Sequence, residues 1–384
     1  MQEIQWIQIA RGLQSEIVEM RRHLHSIPEL GFKEEKTAAF VAKVLEQSGY
    51  VVRRQVGKTG VVADLGPRPS VAIRAEMDGL PLPESTISVY RSCHDGISHS
   101  CGHDVNMACV LAAAKMLAQQ GPVHGGVRII MQPASEETVD EEGKTGTYRM
   151  IEDGALEGLK SIIALHVDAT MLPTMVGIIN EPAKQQSSNF KIEVTAGPSK
   201  EESFDAVKAT AALLGALLAG NESDNSVIIN AIETAPTAAE AVCRSASLRG
   251  ALTSLGKEAR REQVKRLESA CAAVSKAGGQ FDLEFIDGGS GGELDANVTE
   301  TMRQVACELV GEKSVLVVKR KTWTEDFAGF LKFTPGSMML LGGQISSSRR
   351  SHHSPSFDVD ETSLHVGAAI LAATAYKLMS EGKN

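Results

Sequence analysis

Four short apolar runs set the tightest limit on what this chain can fold into: Ser70–Arg74, Gly126–Met131, Ser161–Val167 and Met338–Leu341. Runs of this length read as buried strands, and buried strands need helices packed over their sheet. Helices are expected around them, over residues 4–24, 34–48, 105–119 and 361–379. The first carries Ile4, Ile7, Leu13, Ile17 and Met20 at roughly helical spacing, and Pro28 bars its continuation. Val51–Arg54 and Gly60–Asp64 read as two shorter strands.

Polar residues collect where these strands end. Ser70–Arg74 leads into Glu76 and Asp78, Gly126–Met131 into Ser135-Glu136-Glu137, and Met338–Leu341 into a polar loop holding His352-His353; Ser161–Val167 carries His166 near its end. Open α/β sheets place their sites beyond the carboxyl ends of strands. Ser98-His99-Ser100-Cys101-Gly102-His103-Asp104 adds a thiol and an imidazole two residues apart, just before a helix. Gly102 lets the backbone bend there, so both groups can reach one metal ion, and Asp104 could orient His103. Taken alone, the stretch is equally a turn around a buried thiol, His166 a satisfied core residue, and the acidic pair a solvated loop. Together, Cys101, His103, one of Glu136/Glu137, His166 and one of His352/His353 make a set that two nearby divalent ions would need. The other carboxylate of the pair is then free to move a proton.

Between residues 184 and 291 the pattern changes. Strands at Phe190–Val194, Ser226–Ile232, Ala246–Leu252 and Phe281–Ile286 and helices at Ser203–Ala219 and Lys257–Ala277 follow a β-α-β-β-α-β order. Asn180-Glu181-Pro182 and Gly288-Gly289-Ser290-Gly291-Gly292 serve as hinges, so this reads as an inserted domain. A length of 384 residues suits two domains. The net charge of −9 and an aromatic content of 4% argue against a nucleic-acid partner. Neither a signal peptide nor a membrane-spanning run is found, and the six scattered cysteines suit a reducing cytoplasm.

Seven stretches carry a resemblance. They are the run Arg21 to Phe32, Ile73-Arg74-Ala75-Glu76-Met77-Asp78-Gly79-Leu80-Pro81, His99 to Asp104, Gln132 to Glu137, Ala164-Leu165-His166-Val167, Trp323 to Phe327, and His353-Ser354-Pro355-Ser356-Phe357. In this order they resemble the M20 metallopeptidase family, in its branch of N-acyl-amino-acid and aminobenzoyl-glutamate amidohydrolases. The resemblance implies an α/β fold: a mixed-sheet metallohydrolase catalytic domain with helices on both faces, residues 1–183 and 292–384. It is interrupted by a smaller α+β lid of split βαβ, ferredoxin-like order, residues 184–291, through which a homodimer is expected. Matched motif by motif, Cys101, His103, Glu137, His166 and His353 fall on the metal-ligand positions, and Glu136 falls on the general acid/base. The implied cofactors are two divalent ions, manganese or zinc, with cobalt or nickel as further members. Asp78, Asp104, Asn106 and His352 are candidates for support around the site.

The chain also departs from the family. The family's lid His, which stabilises the oxyanion in the other subunit, has no counterpart in Val194-Thr195-Ala196-Gly197-Pro198-Ser199-Lys200, and no His occurs between His166 and His352. Lys200 is the replacement donor considered. The substrate-reading Asn-Val-Ile-Pro aligns with Glu240-Ala241-Val242-Cys243 and its Arg with Thr253; a further His is Asn106, and the Asp of Arg-Ala-Asp is Glu76. The expected activity is amide hydrolysis of a small N-acyl amino acid or aromatic amide. The alternatives are hydrolytic deamination of an activated aromatic amine, and a metal-binding relative without catalysis.

Overall fold

In a computed structural model, the chain divides into two compact units, Met1–Glu181 with Gly292–Asn384, and Pro182–Gly291. The structure describes residues 5–121, 125–136, 138–179, 185–197, 204–218, 226–234, 242–285, 293–318, 326–345 and 350–381. The first unit runs α1 (Trp6–Gly12), α2 (Gln14–Ser26), α3 (Glu35–Gln47), β1 (Val51–Val56), β2 (Gly60–Leu65), β3 (Val71–Glu76), α4 (His103–Gln120), β4 (Val127–Gln132), α5 (Gly146–Glu152), β5 (Ser161–Asp168) and β6 (Val176–Ile179). The second holds β7 (Gln185–Ala196), α6 (Ala206–Leu218), β8 (Ser226–Thr234), β9 (Ser245–Leu255), α7 (Gly256–Lys276) and β10 (Gly279–Phe285). The first then resumes with α8 (Ala296–Val310), β11 (Val315–Val318), α9 (Phe327–Leu331), β12 (Gly336–Gly342) and α10 (Leu364–Glu381).

The sheet of the first unit has eight strands in the order β1-β2-β4-β3-β5-β12-β6-β11. Its centre, β4-β3-β5-β12, is parallel, while β2 and β6 pair antiparallel to β4 and β12. Successive side chains on a strand point to opposite faces, so these strands feed two cores. Val61, Ile73, Ile129, Ile163 and Met339 pack with α1 to α4, α8 and α10. Val62, Ala72, Ile130, Ile162 and Met338 meet Met150 of α5 and Phe327 and Phe330 of α9. Both faces are thus covered, and the sheet is mixed as expected. α4 is buried nearly all round, and its Ala108, Ala112, Ala113 and Ala114 keep it slim enough for that position.

The second unit is a four-stranded antiparallel sheet, β10-β7-β9-β8, whose elements follow the expected β-α-β-β-α-β order. Leu213 and Leu217 of α6 and Leu267, Cys271 and Val274 of α7 share a core with Phe190, Ile192 and Leu248 of its strands. No described helix in either unit is long and apolar enough to cross a membrane.

The one helix expected over residues 4–24 is two, because Gly12 closes α1 and α2 restarts at Gln14. The Gln14 amide donates to the Glu361 carbonyl at 2.7 Å and accepts from the His365 N–H at 3.1 Å, capping the first turn of α10. Further along α2, Arg21 is wholly buried. It reaches Asp104 at 2.8 Å, Asp358 at 2.9 Å and Glu361 at 3.1 Å. One helical turn on, His25 sits 2.8 Å from Asp104 and 3.4 Å from Glu84. Burial would raise the Asp104 pKa, but Arg21 and His25 outweigh it and hold the carboxyl below the usual range.

Replacing Arg21 by Met leaves three carboxylates without their buried counter-charge, and should cost about 3–5 kcal/mol of stability in chemical denaturation. An unchanged midpoint would remove this cluster from the fold's supports. His25 supplies a pH signature. Burial pulls its pKa down, but Asp104 and Glu84 raise it from 6.5 to about 9. A raised pKa gives stability that is complete below 6.5 and fades as pH climbs through about 9. Thermal unfolding of wild type should show this loss, and His25→Gln should flatten it.

Candidate functional site

Cys101, Gly102 and His103 form the entrance to α4. Gly102 has φ +89°, in the left-handed region. A Cβ there would lie 2.3 Å from Val167 Cγ1 and 3.2 Å from Phe357 Cζ. Only glycine meets both demands. The turn makes His103 the first helical residue, two positions earlier than expected.

The two buried imidazoles are held in one tautomer each. His103 Nδ1 is 2.8 Å from the Asp78 carbonyl, and His166 Nδ1 is 2.8 Å from the Val167 carbonyl. A carbonyl only accepts, so each Nδ1 carries the proton and each Nε2 looks into the site. His166 Nε2 stands 3.5 Å from the Cys101 sulfur, and His103 Nε2 stands 3.5 Å from Glu136 Oε1. His353, on the opposite chain segment, places Nε2 3.3 Å from both the sulfur and Glu136 Oε1. Its φ of +57° is unusual for a residue with a side chain. A hydrogen bond from its N–H to the Ser100 carbonyl, 2.9 Å, fixes it there.

The structure thus brings together two overlapping groups, Cys101-His103-His166 and Cys101-Glu136-His353, each with all ligand-type atoms within 4.8 Å of one another. The sulfur belongs to both. Thiolate, imidazole and carboxylate are the ligand types that bind zinc and its neighbours. The charges agree with that fit. Burial lowers the His103 pKa, yet Asp78, Glu76 and Glu136 raise it to about 10, so the site draws in a positive charge. Burial, then Glu136, pushes the Cys101 thiol well above 9, so a cation is needed to make it a ligand. Glu136 itself is pulled the other way. Burial would raise it, but His353 and His103 keep its carboxyl below the ordinary value, in the form that accepts a proton.

Asp78 is the hub of this geometry. Its carboxylate accepts from Ser135 N at 2.8 Å, Ser135 Oγ at 2.6 Å and Glu136 N at 2.9 Å, and lies 3.3 Å from His103 Nδ1. Asp104 does not orient His103. It points to Arg21 and His25, because successive residues of a helix diverge by about 100°. Asn106 donates to Glu76 at 3.1 Å and accepts from Val167 N–H at 3.1 Å, so the two family departures at 76 and 106 meet in space. His352 lies with Nδ1 3.9 Å from the Cys101 sulfur. Glu137 and Lys200 lie outside the described residues.

Sequence reasoning missed Glu34. It is buried, accepts from Ala134 N–H at 2.8 Å and from the Thr59 hydroxyl, and so props the loop before Glu136. Burial, with Asp78 near, raises its pKa to about 7. No local pattern in the chain marks it.

Comparison with known proteins places this architecture. The model of peptidase family M20/M25/M40 matches residues 72–377. N-acetyl-L-cysteine deacetylase of Bacillus subtilis is 29% identical over 385 residues, covering 97% of this chain and 90% of that protein. IAA-amino acid hydrolase ILR1-like 6 of Arabidopsis thaliana is 27% identical, covering 94% and 80%. A solved Bacillus subtilis structure, described as a dinuclear metal binding peptidase from the M20 family, superposes with a TM-score of 0.76 at 24% identity, covering 96% of this chain and 99% of that one. These findings define a hydrolase, an enzyme of the amidohydrolase kind. The chain belongs to peptidase family M20/M25/M40.

Asp78→Ala leaves the backbone carbonyl that accepts from His103 Nδ1 but removes the carboxylate that holds Ser135 and Glu136 and lies 3.3 Å from His103. It should weaken binding of added manganese or zinc by about 10–100-fold, read by chelator competition. An unchanged affinity would leave Asp78 without this role.

Proposed function

We propose that this enzyme hydrolyses the amide bond of a small molecule, an N-acyl amino acid or an aromatic amide. Two divalent ions, manganese or zinc, would be held by Cys101, His103, Glu137, His166 and His353. When bound, they acidify water and polarise a carbonyl. The observation that carries the reading is the Glu136 carboxylate, lying between His103 and His353 and beside the shared sulfur. Glu136 takes a proton from the attacking water and returns it to the leaving nitrogen. Asp78 holds it in place throughout by its backbone N–H. The relatives named for deacetylation and for amino acid conjugates support the substrate class. Six cysteines without a disulfide fit a reducing cytoplasm.

One sequence observation favours a second reading. No His lies between His166 and His352 to steady an oxyanion. Attack on an activated aromatic carbon with loss of an amine needs no such group. Assays of metal-loaded protein on N-acyl amino acids, aromatic amides and substituted anilines, following free amine and ammonia separately, distinguish the two.

In the same assays Glu136→Gln should keep its metal, by elemental analysis, and lose about 10²–10⁴-fold in turnover. An active Glu136→Gln protein would end the proposed mechanism.

A further inference from the structure

The imidazole of His352 is wedged between Phe357 and His166, with ring centroids 5.0 and 5.6 Å away. Its Nε2 lies 3.3 Å from the Ala169 amide. An amide N–H can only donate, so Nε2 is the acceptor and carries no proton. A ring with one bare nitrogen is neutral. A neutral imidazole has one proton, which must then sit on Nδ1. That nitrogen is 3.9 Å from the Cys101 sulfur, and the ring also hydrogen-bonds the Cys101 backbone. Both of these Cys101 groups are acceptors. Neither nitrogen of His352 therefore offers a lone pair to a cation: one is engaged by an amide, and the other is protonated.

We propose that His352 is a positioning residue for Cys101, and not itself a metal ligand, its Nδ1–H shared between the Cys101 backbone and sulfur. This rests on the reading that Cys101 is a ligand. The donated hydrogen bond holds the sulfur where both groups of ligand atoms meet. It also withdraws electron density from the thiolate, which then gives less charge to a bound cation. The adjacent pair His352-His353 thus divides its work, one ring binding and the other orienting.

Cobalt(II) in the full-length protein supplies a readout that does not depend on turnover. The wild-type protein should show a thiolate-to-cobalt charge-transfer band in the near ultraviolet, and Cys101→Ser should abolish it. His352→Leu should keep the wild-type ratio of metal to protein but move the band to lower energy, because the sulfur lone pairs lose their donor. His352→Asn carries an amide N–H close to where Nδ1–H stood and should return the band to its wild-type position. His352→Gln places its N–H near Nε2 and should behave like His352→Leu. A lower metal ratio in His352→Leu would make His352 a ligand and overturn the proposal. So would a band that stays put in His352→Leu, or one that His352→Asn fails to restore. A wild-type spectrum with no such band would overturn the assignment of Cys101 itself, and this proposal with it, while leaving amide hydrolysis to be judged by the product assays.

Discussion

The ion pair between Arg21 and Asp104 holds the first turn of α4 against α2, and the candidate site depends on that position. Each residue of the first turn is sent to a different wall. His103 goes to Asp78, Asp104 to Arg21 and His25, and Asn106 to Glu76 and the backbone of β5. A slip by one residue would turn every one of them by about 100°. Replacing such a buried pair by apolar groups is often neutral for stability, so its value here lies in register more than in strength.

A second constraint is strain, held by neighbours. Ala134 and His353 both have positive φ, 44° and 57°, and neither is glycine. Each such conformation costs on the order of 1–3 kcal/mol. One lies two residues before Glu136, and the ring of the other stands 3.3 Å from its carboxylate. The Glu34 carboxylate holds the Ala134 N–H, the Ser100 carbonyl holds the His353 N–H, and Asp78 takes three hydrogen bonds from the next two residues. Hydrogen bonds to a charged acceptor such as Asp78 contribute about 1.5–3 kcal/mol each, and one to a neutral carbonyl about 0.5–1.5, which is of the size of the strain. The polar supports therefore choose a backbone path that propensity alone would reject.

Much of this was legible in the chain. The apolar runs named the central strands, and the switch to β-α-β-β-α-β order named the second unit. Short elements escaped. α5 and α9 span 7 and 5 residues, too few for a helical period to show. α8 carried its signal unread: Asp295 caps it through the Asn297 and Val298 amides, with Val298, Met302 and Val305 at helical spacing. At the site, residue types revealed which side chains could act but not which way they turn. Asp104 follows His103 in sequence and yet serves another cluster, since adjacency on a helix is divergence in space. Arg21 and His25 could have been flagged. They share a face with Ile17, Met20 and Leu24, and a charged residue on an apolar face needs a buried partner. The start of α4 at His103 could not, because it depends on Val167 and Phe357 closing around Gly102.

The Arg21 cluster also sets an order of events during synthesis. Arg21 and Asp358 are separated by 337 positions, and the whole second unit is made between them. At about 5–20 residues per second, the guanidinium waits on the order of tens of seconds for Asp358 and Glu361. Until then Arg21 has only Asp104 of its three carboxylates, and α10 does not yet exist to cover α4. The nascent first unit is thus barred from early completion, while the inserted unit, whose strands all pair within residues 185–285, is free to fold first.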